Sequence, residues 1–519
     1  MWAVELNTKG RYAVMALADL ASQHDDAAVP LSQIAERQHL PLAYLEQLFV
    51  PLRRAGLVDS ARGRLGGYRL ARAASDIPVS AVLAAVQEET QFTRCADNDP
   101  RCSRATPCLT HGLWQGLGDV TSKFFASVSL ADVVGGAYRP QATRATHART
   151  YLDYNATAPL HPNARAAMLA ALDAGGNPSS AHAEGRAARG IVEAARISVA
   201  RLVGAKPSEV VFTSGASESN AWVMTQTWDT IFVSGIEHDS VLAPARANGA
   251  EIVPLSAASD GVVRVEEIAE RVFRSGVHGR ALVALQMANN ETGVIQPVTE
   301  TAAFARQHGI FTHTDAVQAA GRVAIDFASL GVDTLSLSAH KLGGPKGIGA
   351  LVIRDHLDLV PLIRGGGQER RRRAGTENLS AIAGFGAAAQ EALANVASVA
   401  RIAALRDDLE REVRAIAPHV VVIGEGAPRL CNTSALCLPG KQAETLVIRL
   451  DLAGVAVSAG SACSSGKVGR SHVLEAMGLG PEISGSTIRV SLGPTTTRED
   501  VAAFLAAWTT IAAKPARAA

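Results

Sequence analysis

From residue 150 onward, short apolar runs alternate with longer Ala-rich amphipathic stretches. The runs are Val210-Thr213, Ile231-Ser234, Ala281-Met287, Thr334-Ser338 and Gly349-Ile353. Strands that alternate with helices bury both faces of a mostly parallel sheet, so this part of the chain is expected to be an α/β domain. Ligands of such sheets gather beyond the carboxyl ends of the strands, and the residues just after each run are therefore the first place to look for chemistry.

Before residue 139 the pattern is different. Residues 10–24 and 42–55 carry apolar positions at helical spacing, with a shorter segment at 32–39 between them. Gly56 is placed to end the third helix, and Leu57-Val58 and Tyr68-Leu70 read as two short strands around the turn ARGRLGG. The order is three helices and a two-stranded wing, an α-rich winged helix-turn-helix. The polar run RPQATRATHART between the two patterns reads as a linker. The expected division is a first domain over 1–138, a linker over 139–149 and a second domain over 150–519.

The 519 residues suit two to four domains, and a net charge of +1 excludes a whole-molecule basic field without excluding a local patch. Such a patch exists: Arg53, Arg54, Arg62, Arg64, Arg69 and Arg72 are opposed only by Asp59 within 53–72. A basic run alone is most often a solvated face, but beside a helix-turn-helix and a Gly-rich wing it reads as a phosphate-contacting DNA surface. Six cysteines are too few for a disulfide scaffold, the N-terminus has no apolar leader, and no uncharged apolar stretch approaches the roughly 18 residues of a membrane span. The expected setting is the reducing cytoplasm, with no membrane partner.

Asp315 and Gln318 in HTDAVQ follow one strand-like segment, and Ser338, His340 and Lys341 in SLSAHKLGGPKG follow another. A lone lysine after a strand is usually a surface cation. Here it stands beside a His, a Ser and a Gly-rich turn, which suits a Schiff-base lysine in a phosphate-binding pocket. Pyridoxal phosphate needs such a lysine, an acid against its pyridinium nitrogen, and phosphate donors. Asp315 supplies the acid, and FTSGASES supplies backbone N–H groups and the Ser217 hydroxyl at a helix start. Cys463 lies in the Gly/Ser-rich SAGSACSSGKVG without apolar neighbours, as an accessible nucleophile would, whereas Cys431 and Cys437 read as core. Arg489, on a strand-like run, suits a bidentate grip on a carboxylate.

With these residues in place, residues 150–510 resemble the NifS/IscS-type cysteine desulfurases, pyridoxal-phosphate enzymes of the class V aminotransferase fold. The resemblance runs through YLDYNATAP, GNPSSAHAEG, FTSGASESN, NNETG, HTDAVQ, SAHKLGGPKG, GGGQERRRRAGTEN and SAGSACSSG. It implies a mostly parallel seven-stranded sheet with a small C-terminal α/β part, the large cofactor-binding part covering about 165–400, in a homodimer. It further implies that Lys341 carries the cofactor, that His238 stacks on the ring and moves a proton, and that Asp315 and Gln318 pair with the ring nitrogen and hydroxyl. Ala216, Ser217, Ser338 and His340 would hold the phosphate, with Thr376 reaching the other subunit's pocket. Asn289 and Arg489 would bind the carboxylate of L-cysteine. Cys463 would take the sulfur as a persulfide, release alanine, and pass the sulfur to an iron-sulfur scaffold or another acceptor protein. Two departures are Ser217, where the family usually has Thr, and the run Arg370-Arg373, whose middle pair reads as surface charge.

In the first domain, Cys95, Cys102, Cys108 and His111 are separated by six, five and two residues. Three thiols and an imidazole suit tetrahedral zinc as well as an iron-sulfur cluster, and redox-inert loop cysteines are a third reading. Close cysteine pairs are missing, so a loop around a larger cluster fits better, though spacing alone does not decide the metal. The runs LNTKGRYAVMALADLA, LAYLEQLFVPLRRAGLV, RGRLGGYRLAR and CLTHGLW resemble the IscR-like winged-helix regulators. That resemblance implies a 2Fe-2S cluster on those four residues, Tyr44 and Glu46 in the major groove, and Arg62 near the minor groove. The wing lacks the family's Pro-Gly pair. Taken together, the sequence reads as a cysteine desulfurase fused to a cluster-sensing regulator; the rivals are a protein acting chiefly as an iron-sulfur-responsive transcription factor, and another class V enzyme such as an aminotransferase or selenocysteine lyase.

Overall fold

The computed structural model describes residues 8–23, 28–61, 66–88, 111–135, 149–395, 398–460 and 470–512. Arg62, Cys95, Cys102, Cys108 and Cys463 lie outside the described residues, as does the side chain of His111. The chain divides into two compact units, Met1–Thr146 and His147–Ala519.

In the first unit, helices Thr8–Ser22, Leu31–Gln38 and Leu42–Arg54 precede strands Val58–Ala61 and Gly67–Leu70. The third helix turns Leu45, Leu48, Phe49 and Leu52 inward, the spacing of one helical face. These side chains close on Ala13, Leu17 and Ile34, and each buried Leu or Phe contributes about 1.5–3 kcal/mol. The helix stops where Gly56 adopts a left-handed φ of 67°. The wing strands pair antiparallel, and Tyr68 also exchanges both backbone hydrogen bonds with Val29. Gly67 is needed there, because a Cβ would fall 2.3 Å from the Val29 carbonyl.

The second unit is built on a seven-stranded sheet in the spatial order Val210–Thr213, Gly349–Ile353, Thr334–Ser338, Phe311–Asp315, Ala281–Ala284, Thr230–Ser234, Glu251–Leu255. Gly349–Ile353 runs antiparallel to both neighbours, and the other neighbouring pairs are parallel. Five of the seven strands, Val210–Thr213, Thr230–Ser234, Ala281–Ala284, Thr334–Ser338 and Gly349–Ile353, are buried along their whole length, as a sheet with helices on both faces requires. A smaller antiparallel sheet, in the order Val421–Val422, Thr433–Cys437, Thr487–Ser491, Ser458–Ala459, packs with helices Ser398–Ile416, Ala443–Leu452 and Arg498–Ala512 around a second core. Strand Thr150–Tyr151 pairs in parallel with Val455–Ala456, so the start of this unit is stitched to its C-terminal part. The expected α/β architecture and its small C-terminal part are both present. Cys431 and Cys437 are buried, as read from the sequence.

No helix among the described residues is long and apolar enough to cross a membrane.

Candidate active site

The carboxyl ends of three strands converge on one cavity of about 610 Å³. Asp315 and Ser338 are the last residues of their strands, and Val210–Thr213 leads into the helix Ala216–Met224. Ala216, Ser217, His238, Asp315, Gln318, Ser338, His340, Lys341 and Arg489 all line this cavity, so nine of the residues singled out in the sequence are brought together.

Lys341 sits in a short 3-10 turn directly after Thr334–Ser338. Its Nζ donates to the carbonyls of Asn155 at 2.5 Å and Ala156 at 2.9 Å. Asn155 O also accepts from Gln318 Nε2 at 3.0 Å. Asn155 is itself fixed, its Nδ2 donating to Asn290 O and Thr433 Oγ1.

Asp315 accepts from Val317 N at 2.9 Å and from Asn220 Nδ2 at 2.8 Å. Because the Asn220 amide presents its NH2 to the carboxylate, its Oδ1 must accept from His313 Nε2, 3.0 Å away. The His313 ring therefore carries its proton on Nε2 and accepts from Thr334 Oγ1 at Nδ1, 2.8 Å away. Burial lowers the His313 pKa to about 3, so this ring stays neutral and serves as a fixed dipole behind Asp315.

His238 caps the helix Asp239–Ala247, accepting at Nδ1 from Ser240 N at 3.1 Å, which leaves the proton of its neutral ring on Nε2. The preceding Glu237 is buried; its Oε1 accepts from Gln286 N at 2.5 Å, and burial raises its pKa to about 8. His340 Nδ1 lies 3.3 Å from Thr157 Oγ1; burial, with the Lys341 and Lys346 charges, lowers its pKa to about 4.

At the other end of the cavity, the N–H groups of Ala216 and Ser217 open the helix Ala216–Met224 without a hydrogen-bond partner among the described residues. The turn before them is braced: Glu218 accepts from Ser214 N and Oγ and from Arg373 Nε at 3.0 Å. Burial works to raise the Glu218 carboxyl, but these donors outweigh it and hold it below the usual range. A buried pair beneath, Arg196 Nη2 to Glu369 Oε1 at 2.8 Å, ties residues 368–371 to the same strand through Phe212 N and Glu369 Oε2. Arg489 is almost fully buried; Nη2 donates to Asp153 Oδ1 at 2.9 Å, Nη1 donates to Asn290 O, and Nε has no partner among the described residues.

Three sequence readings need correction or completion. Asn289 is fully buried and does not line the cavity; its Oδ1 accepts from Glu291 N and Thr292 N and its Nδ2 donates to Ile236 O. Its neighbour Asn290 lines the wall instead. Thr376 is exposed and belongs to a separate, smaller cavity with Ser214 and Gly347. In the arginine run, Arg371 is exposed, but Arg372 is partly buried and reaches the Ser208 carbonyl, so it is not surface charge alone. Asn220, Asn155 and Asp153 were not singled out from the sequence; each acts through hydrogen bonds to a residue that was.

Comparison with known proteins agrees with this geometry. Residues 150–504 match the family model described as aminotransferase class-V. The chain belongs to that family. Among curated class-V relatives, the cysteine desulfurase IscS of Dictyoglomus turgidum is 40% identical over 363 residues, 68% of this chain and 91% of the relative. The cysteine desulfurase of Cereibacter sphaeroides is 42% identical over 366 residues, 68% of this chain and 93% of that protein. The structure of a NifS-like protein from Rickettsia africae ESF-5 has a TM-score of 0.66 at 35% identity, covering 70% of this chain and 99% of the other. Residues 6–136 match a second model, Rrf2, described as an iron-dependent transcriptional regulator. This class-V enzyme therefore carries a regulator-type domain at its N-terminus.

The cavity fits the cofactor of its family. The N–H groups of Ala216 and Ser217, without a partner among the described residues, suit a phosphate; the Asp315 carboxylate, held by Asn220, lines the same cavity and suits a ring nitrogen; and the Lys341 amine donates to backbone carbonyls there.

Proposed function

We propose that the chain is a cysteine desulfurase that converts L-cysteine to L-alanine and keeps the sulfur as a persulfide on Cys463, joined to a DNA-binding domain that carries a 2Fe-2S cluster. The observation that carries the enzymatic reading is the convergence of Lys341, Asp315 and the free N–H groups of Ala216 and Ser217 on one cavity.

Pyridoxal phosphate, when bound, supplies the electron sink that loosens bonds at the substrate's α- and β-carbons. Ala216 and Ser217, with the Ser338 hydroxyl and His340, would hold its phosphate. Asp315 would keep a proton on the ring nitrogen, and Gln318 would pair with the ring hydroxyl. Arg489, with Asn290 beside it, binds the substrate carboxylate, and Asp153 aligns the guanidinium. His238 exchanges a proton at Nε2, its Nδ1 being engaged by Ser240. The Cys463 thiolate attacks the substrate sulfur: an S–S bond forms, the Cβ–S bond breaks, and the electron pair stays with the β-carbon. Protonation of that carbon gives the methyl group of L-alanine, so that thiol plus cysteine yields persulfide plus alanine.

The rest of the proposal extends from the family matches. Exposed Thr376 serves the phosphate of a second subunit in a homodimer. Cys95, Cys102, Cys108 and His111 hold the cluster, a reading supported by their spacing and by the Rrf2 match. Tyr44 and Glu46 meet DNA from the third helix, where Glu46 is exposed and Tyr44 packs edge-on against Tyr12, and Arg62 meets it from the wing. The protein works in the cytoplasm, handing sulfur to a scaffold protein.

Incubating the full chain with L-cysteine tests the reading. Alanine and a mass increase of one sulfur on Cys463 are expected. Absence of alanine, or alanine formation undiminished in Cys463→Ala, overturns it in favour of another class-V reaction.

A further inference from the structure

A second cavity, of about 310 Å³, lies in the same unit and shares only Lys341 with the first. Its size falls at the lower end of small-molecule pockets. Most of its wall is apolar, including Leu160, Leu342, Val399, Ile402 and Leu492. One guanidinium, that of Arg322, interrupts this lining.

Arg322 spends only Nη1 on the protein, donating to Gln318 O at 2.8 Å and to Gln318 Oε1 at 2.5 Å. Its Nε and Nη2 have no hydrogen-bond partner and it forms no ion pair among the described residues. Burial pulls its pKa down to about 10, and the neighbours that act on it are Cys431 and Arg489 rather than a carboxylate. The carboxylate on the same wall, Glu391, is taken up by Asn163 at 2.5 Å and lies 3.8 Å from His161. Arg322 is partly buried, and a guanidinium with donors to spare on a mostly apolar cavity wall lowers its free energy by accepting an anion.

We propose that this cavity binds a small monocarboxylate with a short apolar body, its carboxylate held by the free edge of Arg322, at a site separate from the substrate-carboxylate site at Arg489. Of the lysine and arginine on the wall, Lys341 donates to the Asn155 and Ala156 carbonyls, so Arg322 calls for one anionic group, and the negative charge of Glu391 disfavours a second. The aliphatic wall calls for an apolar body, which the cavity's size limits to a short one. Occupancy is linked to the first cavity by two hydrogen bonds in series: Arg322 to Gln318, and Gln318 to Asn155 O, the same carbonyl that accepts from Lys341. The inference uses no step of the desulfurase reaction and stands or falls independently of it.

The test is titration calorimetry of the full-length holoenzyme with isovalerate, in excess L-alanine so that Arg489 is occupied, and with isovaleramide as the uncharged control. Saturable binding of one isovalerate per chain is expected, at least about ten-fold weaker for isovaleramide and for Arg322→Gln. Ala392→Leu, which fills the cavity without touching Arg322, is expected to weaken binding as much while leaving alanine formation unchanged. Absence of saturable binding, its loss on adding L-alanine, or its retention in Arg322→Gln overturns the proposal.

Discussion

Asn220 Nδ2 lies 2.8 Å from Asp315 Oδ2, and the orientation this imposes on the amide fixes the tautomer of His313 behind it. Asn220 also donates to Ser240, the residue that engages His238, so one buried amide ties the acid on one side of the cavity to the base on another. Asn220→Ala leaves Asp315, Ser240 and His313 each short of a partner. The expected cost is about 1–3 kcal/mol of stability, together with a roughly ten-fold loss of kcat for alanine formation. Thermal melting and steady-state kinetics measure the two effects; unchanged kcat would show that Asp315 is positioned without the amide.

Lys341 donates to the carbonyls of Asn155 and Ala156, backbone acceptors that stay in place when the side chain is shortened, so its removal is structurally mild. Lys341→Ala is expected to abolish alanine formation and cofactor absorbance while lowering stability by no more than about 1–2 kcal/mol. A visible spectrum and a melting curve on the same sample check both.

Arg489 is aligned by Asp153, and a guanidinium fork is not replaced by an ammonium. Arg489→Lys is expected to raise KM for L-cysteine by about ten-fold or more, and Asp153→Asn by a smaller factor, with folding retained. Initial rates over a cysteine series decide this; an unchanged KM in Arg489→Lys would move the carboxylate site elsewhere.

Much of this arrangement was legible in the sequence because strand ends and glycine turns mark where ligands collect. Lys341, Asp315 and Ser217 were found that way. The choice between Asn289 and Asn290 was not legible, since it depends on which residue's amide closes the 289–293 turn: Gly293 N donates to Asn289 O and the Asn289 side chain braces the same turn, leaving Asn290 for the wall. Asn220 and Arg322 gave no signal, because their partners are 95 residues away in one case and a helical turn away in the other, with only packing to say which face is inward. Strand Glu251–Leu255 was obscured by an exposed Glu251 and Pro254, residues that an edge strand tolerates.

The buried titrating groups set opposite limbs of the stability–pH profile. His313 has a folded pKa of about 3 against an ordinary value of 6.5, so the unfolded chain binds the extra proton and stability falls as pH drops from about 6.5 towards 3. The size of this limb is roughly 3–5 kcal/mol. Glu237 has a folded pKa of about 8 against 4.5, so here the folded chain holds the extra proton, and the contribution present below 4.5 is lost as pH rises to about 8. Maximum stability is expected at mildly acid pH, between the two limbs. Glu237→Gln, which keeps the acceptor for Gln286 N, is expected to flatten the alkaline limb and leave the acid limb in place. Melting temperatures from pH 4 to 9 for the two proteins measure this; an unchanged alkaline limb would assign it to other groups.

The exposed arginines of the first unit carry the last prediction. Arg53, Arg54, Arg69 and Arg72 are exposed on the third helix, the second wing strand and the segment after it, and Asp59 is the one acid between Arg53 and Arg72. If this face contacts phosphates, each arginine releases about one counterion on binding, and log Kd depends on log salt with a slope near 0.9 per contact. Arg69→Ala combined with Arg72→Ala is expected to weaken binding to duplex DNA at every sequence tested and to lower that slope by up to about 2, whereas Glu46→Ala is expected to alter preference among sequences with the slope unchanged. Fluorescence anisotropy of the full chain across a salt series separates the two effects, and a slope unaffected by the arginine pair would remove this face from the DNA interface.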